Sequence, residues 1–162
     1  MAGLAPSAWT APVHAQTRVV RDGSLGPGAN VQPGSVPTPT GVEVQVDESL
    51  GVRRGGSVFH SFQFFDVDTG DGVHFSADPG IDTERVISRV TGGDASNLFG
   101  QIRSSAAGAD VYLLNPAGVV LGEGASLDVD GSFYATTADR LVLGEDGLFS
   151  ADPGTPSVLT SA

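Results

Sequence analysis

The chain has 162 residues, 40% of them hydrophobic, which suits one folded domain with a modest core. Its 19 acidic residues against 8 basic ones give a formal net charge of -11, which disfavours binding to nucleic-acid phosphates and to anionic membranes. The absence of cysteine excludes disulfides and thiolate chemistry, and no apolar run approaches the roughly 20 residues that span a bilayer, so we expect no membrane insertion.

The N-terminal segment carries part of a secretory signal. Val13-His14-Ala15 precedes Gln16 with the small residues that signal peptidase reads before its cleavage site. Residues 1–12, however, contain no Lys or Arg and no continuous apolar stretch. We therefore expect residues 1–15 to be a partial signal peptide or a disordered leader, and residues 16–162 to form a single domain.

The first half of the domain predicts a loop followed by two strands. Residues 26–41 contain four prolines and four glycines and are predicted to be a loop without regular structure. Val42, Val44 and Val46 alternate with polar residues, which predicts a strand buried on one face. Residues 58–67 predict a strand covered on both sides, the heaviest part of the core. In its regular alternation Phe62 and Phe64 share one face, and Phe59 and Phe65 the other.

The second half predicts further short strands. Residues 81–90 are interpreted as a strand, because Val86, Ser88 and Val90 alternate and Gly92-Gly93 ends the pattern. The run from Leu113 to Gly122 predicts two strands joined by a turn at Asn115, Pro116, Ala117 and Gly118. Pro116 fixes its own φ and holds Asn115 extended, while Gly118 is free to adopt a left-handed conformation. Beyond it, Leu127 and Val129 alternate with Asp128 and Asp130, as in a strand buried on one face.

Short strands joined by glycine-rich corners indicate an all-β solenoid or sandwich. Residues 71–80 are partly repeated in residues 146–154, but no fixed period exists, which leaves an irregular β-helix. About five coils of about 20 residues would fit the length. Residues 157–162 are predicted to begin a further strand without a polar cap, so we expect a solenoid that is open at its C-terminal end and a fragment of a longer protein.

Metal sites and cofactors are not predicted. Residues 66–72 resemble an acidic calcium loop. An EF-hand, however, needs an oxygen ligand at its fifth position, glycine at its sixth and glutamate at its twelfth, and these positions hold Gly70, Asp71 and Ala77, respectively. His14, His60 and His74 are far apart and lack a zinc-binding pattern. His60, between aromatic residues, is interpreted as a buried structural histidine.

Catalysis has to be considered for an all-β solenoid, since β-helices host enzymes that act on polysaccharides. Asp128 and Asp130 have no nearby Lys or Arg, and Ser96, Thr136 and Thr137 have neither a nucleophile elbow nor a paired histidine. We therefore expect no enzymatic activity.

Several ordered segments together resemble the filamentous haemagglutinin N-terminal domain, the secretion domain of two-partner secretion exoproteins of Gram-negative bacteria. The resemblance runs from about Val20 to the end of the chain. Two departures occur: Ala117 stands where the family usually has a second Asn, and residues 78–81 stand where an upstream Asn-Pro element is expected. The segments are Arg21 to Gly26, Phe59-His60-Ser61-Phe62, Arg89 to Gly93, Ser96-Asn97-Leu98-Phe99-Gly100, Asn115 to Gly118 and Gly131 to Ala138.

The resemblance implies a right-handed parallel β-helix with N-terminal capping strands. It also implies a secretion and recognition module of a haemagglutinin or adhesin type of exoprotein, which passes through the periplasm and is recognised there by periplasmic domains of a cognate outer-membrane β-barrel transporter. The mature protein would be secreted or held at the cell surface, and a longer β-helix of the same chain would follow. The residues assigned to the secretion or structural motif are Asn97, His60, Phe62, Asn115, Pro116, Ala117 and Gly118. A structural solenoid of a surface adhesin, without any transporter role, is a second alternative.

Overall fold

The structure is a computed structural model that describes residues 16–26, 28 and 30–161, so the predicted signal or leader segment lies outside the described residues. The regular secondary structure of the described part of the chain is almost entirely β-strand, and no helix there is long and apolar enough to cross a membrane. The strands are β1 (Arg18–Arg21), β2 (Gly34–Pro37), β3 (Val42–Asp47), β4 (Val52–Arg54), β5 (Ser57–Asp66), β6 (Gly72–Ser76), β7 (Arg85–Val90), β8 (Ser96–Leu98), β9 (Gln101–Ser104), β10 (Asp110–Leu114), β11 (Val119–Leu121), β12 (Ser126–Asp128), β13 (Phe133–Thr136), β14 (Arg140–Leu143) and β15 (Gly147–Ser150). A 3-10 turn at Glu48–Leu50 joins β3 to β4.

The strands wind into a parallel β-helix of about three turns, which confirms the predicted fold class. One sheet stacks β5, β7, β10 and β13 in parallel, a second stacks β3, β6, β9 and β12, and a narrow third face pairs β8 with β11. The predicted number of coils and the predicted coil length are both wrong. Ser57 pairs with Arg85, and Arg85 pairs with Asp110, so each of these coils is longer than expected. The coils are longer because corner loops separate their strands. They are fewer because other strands of the chain lie outside the solenoid.

Antiparallel strands cover the first coil, as expected. β1 and β4 pair with β5, and β2 pairs with β3. The prediction of a loop without regular structure over residues 26–41 is wrong where β2 forms. Its proline is tolerated because Pro37 closes a strand at the edge of the sheet, where no further strand needs its missing N–H.

The first coil contains most of the aromatic core. The ring centroid of Phe62 lies 5.2 Å from that of Phe65, so these two residues share the solenoid interior. Phe59 points to the opposite side of β5. The predicted pairing of faces, Phe62 with Phe64 and Phe59 with Phe65, is therefore wrong. Its cause is a bulge at Gln63: the register with β1 shifts there, which reverses the alternation along the rest of β5.

A hairpin of β14 and β15 packs outside the solenoid. Phe149 of this hairpin meets Phe59 edge to face, with 5.0 Å between ring centroids, and Ile87 and Leu114 complete the second core. β5 is thus covered on both sides, as predicted. The strand predicted over residues 157–162 is an isolated antiparallel bridge from Val158 to Leu148. It lies beside the hairpin and does not extend the solenoid.

The later strands are less buried than the earlier ones. β7 confirms the strand predicted within residues 81–90, and the two apolar strands flanking Asn115 are β10 and β11. The prediction that Leu127 and Val129 form one buried face is wrong for Leu127, whereas Val129 packs against the core. Leu127 pairs with the buried Ile102 but is half-exposed, because no described coil follows it.

Candidate recognition surface

Asn115 organises the corner between β10 and β11. It is 1% exposed, and its amide Nδ2 donates to the backbone oxygen of Asp94 and to Ser96 Oγ, both at 2.9 Å. Its Oδ1 accepts from the N–H of Ala117 at 3.0 Å, the pattern of an Asx turn. Asp94 and Ser96 belong to the corner one coil earlier, so Asn115 joins two successive coils.

The remainder of this turn lies at the surface. Pro116 and Ala117 are exposed, and Gly118 has a φ of 126°, which confirms the predicted left-handed backbone. A Cβ at Gly118 would meet no atom nearer than Ala95 Cβ, at 3.5 Å, so there is room for a side chain. Glycine is favoured here by the backbone conformation alone. Because Ala117 is exposed, a side-chain amide at position 117 would lie on the solvent side of the turn.

Asn97 has a similar role in β8, next to Ser96. Its backbone N–H and its Nδ2 donate to Asp66 Oδ1, at 2.9 and 3.1 Å. Asp66 is 2% exposed, and Arg18 of β1 binds its other oxygen at 2.8 Å. The buried carboxylate is thereby paired and hydrogen-bonded, and it joins β1, β5 and β8.

His60 and Phe62 lie inside the first coil. His60 is 3% exposed, and its ring stacks on Phe62 and lies tilted against Phe75, at centroid distances of 6.1 and 5.8 Å. Burial, together with the nearby charge of Arg21, lowers the pKa of His60 from 6.5 to about 3. The imidazole is therefore neutral at physiological pH, and both side chains are buried in the core.

The structure brings the two asparagines together but not the whole predicted motif. Asn115 bonds to Ser96, the neighbour of Asn97 in β8, whereas His60 and Phe62 lie in the core of an earlier coil. Of the predicted residues, Pro116 and Ala117 are exposed, and Asn97 and Gly118 are partly exposed. Asn115, His60 and Phe62 are buried.

Arg89 is a buried charge that the sequence analysis did not identify. Its Nε donates to Ser61 Oγ at 2.8 Å, and NH2 to Ser24 Oγ at 3.0 Å. NH1 binds the backbone oxygen of Ser150 and the hydroxyl of Ser157. Three parts of the chain thus meet at one guanidinium: the opening turn, the solenoid, and the hairpin with its tail. Its position in the apolar run of β7, between Ser88 and Val90, is the signal that could have indicated it.

The acidic loop after β5 is used within the fold. Asp71 accepts from Thr17 Oγ1 at 2.6 Å and from the N–H of Val42 at 2.9 Å. Within the described residues no group of three or more His, Asp or Glu is placed to hold a metal ion.

Two comparisons place these features in a family. Residues 19–161 match the TPS secretion domain. A 60-residue stretch is 45% identical to the heme/hemopexin-binding protein of Haemophilus influenzae, and it covers 37% of this chain but only 6% of that protein. The chain therefore spans a small fraction of that relative's length. The parallel solenoid, its capping strands and the match over nearly all described residues agree, and the chain belongs to the TPS secretion domain family of two-partner secretion exoproteins.

Proposed function

We propose that this domain directs the export of its exoprotein by being recognised by a cognate outer-membrane β-barrel transporter. The match of residues 19–161 to the TPS secretion domain is the observation that carries the proposal. The buried polar groups described above, such as Asn115, Asp66 and Arg89, make hydrogen bonds within the fold, so stabilisation of the fold accounts for them.

In this proposal the chain crosses the inner membrane, with residues 1–15 as part of its signal, and meets the transporter's periplasmic domains. Residues 16–162 are the domain that is recognised, and a longer β-helix of the same chain follows it. The exoprotein, of haemagglutinin or adhesin type, is then secreted or held at the cell surface. Exposed strand edges supply a physical means of recognition, because an edge can pair with a sheet of the partner.

A secretion assay tests this function. The chain is given a complete signal peptide and produced with and without its transporter in a Gram-negative host. We expect it in the medium only when the transporter is present, and in the periplasm otherwise. Equal export without the transporter would contradict the proposal and would favour a structural solenoid that lacks a transporter role.

A carbohydrate-active enzyme is the alternative of a different class. Release of sugars or of unsaturated products from acidic polysaccharides by the purified chain would support it and would contradict our expectation of a non-enzymatic protein. Binding of heme or hemopexin, which the name of the relative states for that protein, is not part of the proposal, because the match covers 6% of its length.

A further inference from the structure

One strand edge of the outer hairpin is uncovered among the described residues. β14 pairs with β15 on one side and with no described strand on the other. β15 is covered on both sides, because the bridge from Leu148 to Val158 brings the tail of the chain alongside it. The described tail continues to Ser161, which lies next to Gly55 in the turn between β4 and β5. The tail therefore passes on the β15 side and leaves the edge of β14 open.

The backbone of this edge is directed outward. Residues of an antiparallel strand direct their N–H and C=O groups alternately toward one neighbouring strand and the other. Leu148 lies opposite Val142 in the register, yet it exchanges both of its backbone hydrogen bonds with Val158, at 2.7 and 2.8 Å. The N–H and C=O of Val142 therefore point away from β15, as do those of Arg140, two residues earlier. β14 thus offers two donors and two acceptors to a further strand.

Two other strand edges, both beside the first coil, are protected against such pairing. The side-chain amide of Gln32 covers the edge of β1: its Oε1 accepts from the N–H of Arg21 at 2.7 Å, and its Nε2 donates to the backbone oxygen of Arg21 at 3.3 Å. The edge strand β2 contains Pro37, which has no N–H to donate. A covering loop and an edge proline are common means of preventing strand addition. β14 has neither, so its edge can accept a strand.

The two ends of this edge carry opposite charges. Arg140, the last Lys or Arg of the sequence, is exposed and forms no ion pair with any described residue. The adjacent Asp139 lines the groove beside Pro116, on the solenoid side of the hairpin. Glu145 and Asp146 are exposed in the turn at the other end of the strand. The edge is thus positive at its start and negative at its end.

A second copy of the hairpin is complementary to this edge. Two β14 strands that meet edge to edge about a two-fold axis run antiparallel. When Val142, which is 68% exposed, lies opposite the same residue of the second copy, Arg140 lies opposite Gly144 of that copy and next to its Glu145 and Asp146. Because glycine has no side chain, it leaves room for the arginine. The two valines pack together, and an arginine meets carboxylates at each end of the contact.

We propose that the edge of β14 binds a second copy of this chain, so that two hairpins form one four-stranded antiparallel sheet in the order β15-β14-β14-β15. The net charge of -11 on each copy opposes contacts between other parts of their surfaces, whereas opposite charges meet at this edge. So short an edge buries little surface, and we therefore expect a dimer that dissociates on dilution. The inference is independent of the export function proposed above, because it needs only two folded copies.

Substitutions of Val142 test the strand pairing. Sedimentation velocity at increasing concentrations of the purified chain measures its association. Val142→Asp places like charges opposite each other, and Val142→Pro removes an N–H that β15 does not use. We expect dimerisation to be at least about tenfold weaker in both variants than in the parent. Val31→Asp adds the same charge at a 55% exposed residue between β1 and β2, so it should dimerise like the parent. The melting temperature should be retained in all three variants.

An exchange of charges tests the register. One variant carries Arg140→Glu, and the other carries Glu145→Arg combined with Asp146→Arg. Each variant alone would bring like charges together at both ends of its own dimer, so each should sediment as a monomer. In an equal mixture, every substituted position meets the opposite charge on the other variant, and we expect a dimer that contains one copy of each. Native mass spectrometry identifies this mixed dimer by its mass.

Four results would overturn the inference. The first is a parent chain that remains monomeric up to its highest soluble concentration. The second is a dimer that the Val142 and charge variants do not weaken, because the second copy would then bind elsewhere. The third is a mixture of the two charge variants that remains monomeric. The fourth is a lengthened chain that stays monomeric while its added residues protect β14 from hydrogen exchange, since its own residues would then cover the edge.

Discussion

The side chain of Asn115 joins two successive corners of the solenoid through its amide. We expect Asn115→Ala to lower the unfolding free energy by about 3 kcal/mol, because three hydrogen bonds are lost and the buried hydroxyl of Ser96 loses its partner. For a domain of this size that corresponds to a fall of about 6–12 °C in melting temperature. Differential scanning calorimetry measures the change, and secretion should fall with it.

The exposed neighbour of Asn115 provides a matched control. Ala117→Asn places the amide that is usual in the family at a solvent-facing position, so its melting temperature should stay within about 2 °C of the parent. Gly118→Val should cost about 1–3 kcal/mol, since its φ of 126° suits a β-branched residue poorly. A parent-like melting temperature for Asn115→Ala would show that the corner does not depend on this amide.

Acid should destabilise the domain through His60. The pKa of His60 is about 3 in the folded chain and 6.5 ordinarily. Between pH 3 and pH 6.5 the unfolded chain therefore binds a proton at His60 that the folded chain does not bind. The contribution of His60 to the free energy of unfolding is therefore fully present above pH 6.5 and is lost as the pH falls toward 3. The loss is about 2 kcal/mol at pH 5. Urea unfolding at pH 7.5 and pH 5 measures the loss, and His60→Gln should reduce the difference. An equal loss in His60→Gln would assign the effect to other groups, such as His74, whose pKa is also lowered by burial.

The hairpin of β14 and β15 is held against the solenoid by a small apolar cluster. Phe149 is fully buried between Phe59 and Arg89, whose guanidinium carbon lies 4.8 Å from its ring centroid. Phe149→Ala should cost about 3–5 kcal/mol and loosen residues 139–161 before the solenoid. Limited proteolysis should then cut this segment first. Val142→Ala, on the exposed side of the hairpin, serves as control, and equal protease resistance in both variants would contradict the prediction.

Elements with a local pattern could be predicted from the sequence. The valine alternation of β3 and the Asn-Pro turn after β10 are local features, and both occur as expected, except that Val42 at the start of β3 is exposed. The bulge at Gln63 leaves no comparable pattern, because it depends on pairing with β1, which is distant in the sequence. Likewise β2 forms from a proline-rich stretch only because β3 supplies a partner edge.

The candidate site was predictable as a set of residues but not as a set of roles. The sequence indicated Asn97 and Asn115, yet only the fold shows that their amides bind Asp66, Asp94 and Ser96. Arg89 was missed because its partners come from three distant segments. The open end was expected at the chain terminus, whereas the structure places it at β11 to β13, since the tail folds back along the outside.

In the whole molecule, burial decreases along the solenoid from the capped end to the open one. β5 is buried along most of its length, while the residues of β12 are all exposed. Backbone amides exchange fastest where opening costs little free energy, so hydrogen exchange should be slowest in β5 and β7 and fastest in β12 and β13. Mass spectrometry of deuterium uptake, peptide by peptide, measures this gradient. Uniform protection along the solenoid would contradict the predicted gradient, because it would mean that the last coil opens no more readily than the first.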